Sequence, residues 1–320
     1  MPRPVIAVTD SAFPSLDPAL AALARVDPDM RMSKSAAAAD ILAVARDADA
    51  VLVTYAKLPG DLLRQLTRCK VIGRFGLGVD NIDIETAAEL GITVTYVPDY
   101  CMQEVSDHAM ALLLALARKV VFSNTLVQSG RWEMPAVAPL HRLQGRTLGL
   151  IGFGHIPRLL APKAQAFGLE VMAHDPYVGR DVFGSLGVED VSLDDLLARS
   201  DFISVHAPLT PATRGLVDAS AFAKMKKGAL IVNTARGPLI DEPALIAALD
   251  SGHLGGAALD VVATEPLSKD SPLIGRDNVI LTPHTAFYSV EALEELQTKC
   301  ASDVARVLSG EKPVYPVKAG

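Results

Sequence analysis

The chain has 320 residues, 50% of them hydrophobic and 21% charged, with 30 Lys and Arg against 37 Asp and Glu for a formal net charge of −7. That length fits two ordinary domains, and that apolar content fills cores, which excludes an intrinsically disordered chain. An acidic balance without a block of like charge excludes a nucleic-acid footprint, and no apolar run reaches the roughly 18 residues that a membrane span requires.

The opening apolar stretch reads as a first strand rather than a signal peptide. Cys69, Cys101 and Cys300 are scattered without metal-ligand spacing and read as free thiols of a reducing compartment. The expectation is a soluble cytoplasmic chain with no metal, no nucleic-acid partner and no membrane partner.

Short strand-type runs alternate with helix-type segments throughout, which predicts an α/β protein with parallel sheets. The first series places strands at residues 5–8, 51–54, 71–74 and 92–97, with helical segments such as 36–46 between them. A long helix is predicted over 103–119. There Val105, Ala109, Leu112, Leu113, Leu116 and Val120 form one stripe at helical spacing, and Ala111 and Leu114 widen it. So broad an apolar surface calls for packing on several sides, as at a domain junction or subunit interface. A second series follows at 147–152, 170–174, 201–206, 229–233, 256–260 and 278–281. Two successive series predict two doubly wound parallel-sheet domains.

The second series opens on Leu-Gly-Leu-Ile-Gly-Phe-Gly-His-Ile-Pro, residues 148–157. Gly152 permits a tight strand-to-helix turn, and Gly154 lets backbone amides approach a pyrophosphate at a helix N-terminus. Asp175, about 20 residues beyond Gly152, stands where a carboxylate accepts hydrogen bonds from an adenosine ribose. No arginine directly follows it, which favours NAD over NADP. Pro157 replaces the usual third small residue. Proline is tolerated in a first helical turn, whereas Pro162 falls beyond it and should remove a backbone bond and bend the helix.

Three later segments follow strands, where open α/β sheets place ligand chemistry. They carry Arg236, Glu265 and His284. Arginine can fork to a substrate carboxylate and polarise the neighbouring carbonyl. Histidine can give and take an alcohol proton near neutral pH. A glutamate bonded to that imidazole fixes its tautomer and favours its cation. Together they form a set suited to reversible reduction of a 2-oxo acid, with hydride from a cofactor. His174 and His206 read as loop structure near that cofactor, while His108, His141 and His253 show no convincing site partner. Lys57, in a loop after the second strand, suits a substrate anion or bulk water equally well.

The motifs Gly-Arg-Phe-Gly-Leu-Gly-Val-Asp-Asn-Ile-Asp (73–83), Val-His-Ala-Pro-Leu-Thr (205–210), 233–237, 256–266 and 283–286, with the glycine turn, make the chain resemble the D-isomer-specific 2-hydroxyacid dehydrogenase family over nearly its full length. Residues 99–108 and 283–289 look closest to bacterial relatives of the C-terminal-binding proteins. Residues 73–83 and 226–237 are equally similar to phosphoglycerate dehydrogenases, and Glu265 disfavours the formate dehydrogenase branch.

The resemblance implies a flavodoxin-like substrate domain at 1–99 and 288–320, with a Rossmann NAD-binding domain inserted at 100–287. It implies catalysis by Arg236, Glu265 and His284, and NAD contacts from Gly152, Gly154, His155, Ile156, Asp175, His206, Ala207, Pro208, Thr213, Thr234, Ala235, Arg236, Asp260 and His284, Asp260 lying near the carboxamide. It assigns the substrate carboxylate to backbone groups of Gly76, Leu77 and Gly78, beside Ala56, Lys57, Arg74, Arg236 and His284. The implied partners are a small (R)-2-hydroxy or 2-oxo acid and a second copy in a homodimer, the 103–119 helix lying at the hinge and the dimer contact. An NADH-sensing scaffold and phosphite oxidation by the same triad stand as alternatives.

Overall fold

The computed structural model describes residues 3–318. The chain divides into two compact units, Met1–Cys101 with Tyr288–Gly320, and Met102–Phe287.

The first unit holds β1 (Val5–Val8), β2 (Asp29–Met32), β3 (Ala50–Val53), β4 (Val71–Arg74) and β5 (Thr93–Thr95) in one parallel sheet of order β2-β1-β3-β4-β5. This is the flavodoxin-like order. Strands β1, β3 and β4 are buried along their whole length, as strands covered by helices on both faces must be. The edge strand β2, Asp-Met-Arg-Met, is partly exposed and offers no apolar run, so the sequence pattern does not reveal it. The helix Val290–Leu308 returns to this unit and lies against β4. A Cβ on Gly73 would come within 2.6 Å of Val304 and 3.0 Å of Cys300, so glycine allows that close approach.

The second unit holds β6 (Thr147–Ile151), β7 (Glu170–His174), β8 (Glu189–Asp190), β9 (Phe202–Val205), β10 (Ala229–Asn233), β11 (Leu254–Leu259) and β12 (Val279–Leu281). Their order is β12-β11-β10-β9-β6-β7-β8, all pairs parallel. Counted from β6, the first six strands follow the doubly wound dinucleotide-binding order, and β12 adds a seventh. The strand order reverses between β6 and β9, and the ligand crevice of such a sheet opens there.

The helix expected over 103–119 runs Met102–Ala117, and its stripe does not reach Val120. Lys119 takes a left-handed backbone (φ 52°), which ends the helix, and a separate helix Val120–Gln128 begins with Val120 exposed. The breadth of the apolar surface has a cause inside the unit: Ala109, Leu112, Leu113 and Leu116 pack with Leu148, Leu150, Phe153, Leu160 and Phe202 in one core. No single helix among the described residues is long and apolar enough to cross a membrane.

Candidate active site

Gly152 leaves β6 with φ 91°, and a Cβ there would lie 2.9 Å from the backbone of His206 and Ala207. Only glycine combines that conformation with that approach, so the turn after β6 seats directly on the turn after β9. The helix His155–Ala166 starts at Gly154, which has no side-chain cap and no atom within 4 Å of where a Cβ would stand. Its first amides, at the exposed Gly154 and His155 and the half-buried Ile156, form the positive end of a 12-residue helix.

Pro157 is buried as the third residue of that helix, where its missing N–H breaks no helical bond. Pro162 lies inside the helix on an exposed face, and the helix continues to Ala166. Asp175 follows β7; its Oδ2 accepts the Phe153 amide (2.8 Å) and its Oδ1 accepts the Tyr177 amide (3.0 Å). It lines a cavity of about 400 Å³ with His174, Pro176, Val178 and Arg180.

Thr234, just past β10, carries a buried hydroxyl oxygen with no hydrogen-bond partner. A buried polar atom of this kind asks for a ligand. Together with the open Gly154 turn and the helix end beneath it, the residues fit a dinucleotide.

The candidate catalytic side chains come from three neighbouring strand ends. After β10, Asn233 receives the Ala235 amide (3.0 Å) and donates to the Arg236 carbonyl (2.9 Å), shaping the turn that presents Arg236. The following Gly237 lies against the loop after β11: a Cβ there would sit 1.9 Å from the Val262 carbonyl group. Glycine at 237 therefore lets the Arg236 turn and the Glu265 loop meet. Glu265 Oε1 accepts the Val262 amide (3.2 Å), and Oε2 lies 2.7 Å from His284 Nδ1.

Burial works against ionisation of Glu265. The hydrogen bond and charge of His284, the Val262 amide and the Arg236 charge outweigh it and hold the carboxyl below its usual range. His284 itself has φ 53°, an uncommon conformation for a residue with a side chain. Its amide donates to the carbonyls of Asp260 (2.8 Å) and Thr282 (3.0 Å), and its ring meets Phe287 edge-on at 6.1 Å.

Asp260, at the end of β11, is buried and committed to that loop. Its carboxylate accepts the Thr282 hydroxyl (2.5 Å) and the amides of Thr285 (2.9 Å) and Ala286 (2.9 Å). Burial pushes the half-buried His206 down to about 4, so its ring is neutral near pH 7, with Nε2 2.8 Å from Ser204 Oγ. Ala207 is buried and Pro208 exposed in the same turn. The Thr213 hydroxyl donates to the Pro208 carbonyl (2.6 Å) and accepts the Thr210 amide (2.8 Å), tying that loop together.

In the first unit, the buried Arg74 donates to the Phe75 carbonyl (2.6 Å) and its guanidinium fills the space a Cβ on Gly76 would need. Leu77 is exposed and Gly78 half-buried. Ala56 is buried and Lys57 exposed, in a loop held by Asn81, which donates to the carbonyls of Thr54 (3.3 Å) and Ala56 (2.9 Å). One residue set aside on sequence has site partners after all: His108 Nε2 is 3.1 Å from Thr282 Oγ1 and 3.5 Å from Asp260 Oδ1. Helical spacing from the 102–117 core stripe could not show this, because the contact joins residues 174 apart in sequence.

Residues 110–286 match the family model described as D-isomer specific 2-hydroxyacid dehydrogenase, NAD binding domain. The D-3-phosphoglycerate dehydrogenase of Mycobacterium tuberculosis is 39% identical over 312 residues, 97% of this chain and 58% of the relative. The chain thus spans little more than half the length of the curated relatives it matches.

Among solved structures, a protein from Thermus thermophilus is 34% identical with a TM-score of 0.89, covering 98% of this chain and 100% of its own. The D-lactate dehydrogenase of Aquifex aeolicus, solved with NAD and lactic acid, is 29% identical with a TM-score of 0.85 and 96% of each chain covered. The chain belongs to the D-isomer-specific 2-hydroxyacid dehydrogenase family, and residues 110–286 lie in its NAD-binding domain.

Proposed function

We propose that the chain is an NAD-dependent oxidoreductase interconverting a small (R)-2-hydroxy acid and its 2-oxo acid. The observation that carries this reading is the 2.7 Å bond between Glu265 and His284 Nδ1, with the Arg236 charge near enough to lower the Glu265 carboxyl. It supports a division of labour in which Met102–Phe287 holds cofactor and acid/base group and the other unit binds substrate.

The amides of the 154–156 turn would bind the pyrophosphate, Asp175 the ribose diol and Thr234 a further polar group of the dinucleotide. NADH, when bound, supplies the hydride that adds to the carbonyl carbon. Arg236 forks to the substrate carboxylate and orients the carbonyl. His284 Nδ1 faces Glu265, so Nε2 gives its proton to the carbonyl oxygen and takes it back in the oxidation direction. Leu77 and Gly78 offer backbone amides to a carboxylate, and Arg74 and Lys57 are cationic side chains of the same unit; the Gly76 amide, which the resemblance assigns to that role, is instead given to the Arg74 carbonyl (2.9 Å).

A homodimer belongs to the same reading. Its support is apolar surface in water: Val120, Val121 and Val127 are exposed, and Trp132 and Met134 just beyond are 88% and 78% exposed.

The test is a screen of glyoxylate, hydroxypyruvate, phosphohydroxypyruvate, branched-chain 2-oxo acids and phosphite, read by nicotinamide absorbance. Turnover of a 2-oxo acid, abolished in His284→Ala with NAD binding retained, is the expected result. NADH binding without turnover of any acid would instead favour a dinucleotide-sensing scaffold.

A further inference from the structure

His108 sits on the helix Met102–Ala117, behind the loop that carries His284. Thr282 Oγ1 has a single proton, and it is spent on Asp260 Oδ1 in a 2.5 Å bond. The same oxygen lies 3.1 Å from His108 Nε2, so that contact is a hydrogen bond only if Nε2 is the donor. The ring is thereby fixed in one tautomer, or in its cation, and Nε2 also lies 3.5 Å from Asp260 Oδ1.

Asp260 in turn holds both flanks of His284. Its side chain is 0% exposed and receives the amides of Thr285 and Ala286, while its carbonyl receives the His284 amide. A left-handed backbone at a histidine persists only where its surroundings over-determine it. His108, Thr282 and Asp260 supply that determination.

We infer that His108 is a positioning residue: its Nε2 proton completes the bonding of Thr282 and Asp260 and so fixes loop 282–286 in the bend from which His284 reaches Glu265. The effect on catalysis rests on the proposed acid/base role of His284; the tautomer does not.

Four variants test it: His108→Leu, His108→Gln, Thr282→Val and the double His108→Leu/Thr282→Val. Losing one partly buried hydrogen bond that orients the proposed acid/base group should lower kcat of His108→Leu about tenfold, with KM for NADH within about twofold. Gln places an amide donor near the Nε2 position and should recover most of that loss. Because both side chains act through one relay, the double variant should fall no further than Thr282→Val alone. Wild-type kcat in His108→Leu, equal losses in the Gln and Leu variants, or losses that multiply in the double variant each overturn the inference.

Histidine ring nitrogen NMR of the wild-type protein, at a pH where the ring is neutral, decides the point without turnover and without a variant that must fold. A proton on Nε2 supports the relay, and a proton on Nδ1 refutes it. Should no 2-oxo acid be turned over, the proposed function fails while this spectrum still judges His108.

Discussion

Glu265→Gln isolates the charge of the pair from its geometry. Glutamine keeps the length and an acceptor oxygen for His284 Nδ1, so the tautomer survives while the imidazolium loses its counter-charge. A hydrogen bond to a charged group contributes about 1.5–3 kcal/mol and a neutral one about 0.5–1.5. Glu265 keeps 36% of its side chain exposed, so solvent screening favours the lower ends of these ranges, which differ by about 1 kcal/mol, or about fivefold in rate.

The sign follows from charge: His284 helps hold the Glu265 carboxyl below its usual range, so Glu265 enters the pair as a carboxylate and glutamine removes that negative charge. In the proposed reaction, reduction of a 2-oxo acid uses the protonated ring and oxidation of the hydroxy acid the neutral one. Glu265→Gln should therefore slow reduction about fivefold while leaving alkaline oxidation nearly unchanged. Steady-state rates in both directions across pH, followed by nicotinamide absorbance, measure this. An equal loss in both directions would refute the charge argument and leave Glu265 a purely geometric part.

Gly237→Ala forces a Cβ to 1.9 Å from the Val262 backbone, so the two loops must separate; a destabilisation of about 3 kcal/mol is expected, and an unchanged denaturation midpoint would contradict the close approach. Asp175→Asn keeps an acceptor for the Phe153 amide but removes the charge that repels a 2′-phosphate. The ratio of kcat/KM for NADPH over NADH should rise about tenfold, and a constant ratio would remove Asp175 from cofactor selection. His206, pushed by burial to about 4, binds a proton more weakly folded than unfolded. The stability from its neutral ring is complete above about pH 6.5 and declines by about 3 kcal/mol as pH falls toward 4. Urea midpoints across that window should fall more steeply in the wild type than in His206→Gln; parallel slopes would count against a ring kept neutral by the fold.

How far the sequence could be read follows from what each residue faces. Strands buried on both faces announce themselves as apolar runs, and β1, β4, β7 and β10 coincide with the runs at 5–8, 71–74, 170–174 and 229–233. The edges β2 and β8 carry Asp29, Arg31, Glu189 and Asp190 into solvent and have no such signature. The helix break at Lys119 was equally hidden, because Val120 continues the apolar spacing while the backbone turns left-handed between them. At the candidate site, residue type and motif context single out Arg236, Glu265 and His284, and the structure brings Glu265 within 2.7 Å of His284 Nδ1. Asp260 was named only through the family resemblance, as a cofactor contact, and His108 was set aside; their hydrogen bonds across the fold leave no local pattern.

The sheet order explains why residues so far apart in sequence meet. Arg236, Glu265 and His284 follow β10, β11 and β12, which are consecutive neighbours in the sheet, so parallel pairing delivers all three to the same edge. Gly152 and His206 follow β6 and β9, the pair at which strand order reverses, and β9 is also paired with β10. The Gly152 turn and His284 are therefore set by one continuous run of strands, and the loops need only local devices to finish the geometry. Those devices are Gly152 against His206, Gly237 against Val262, and Asp260 gripping the amides on either side of His284. The left-handed bend at His284 is a strain the sheet does not remove, and it is met by a buried carboxylate whose hydrogen bonds run to Thr282, Thr285 and Ala286. Chemistry at this edge is thus as rigid as Asp260 is fully bonded, which makes the support behind the loop as consequential as the side chain in front of it.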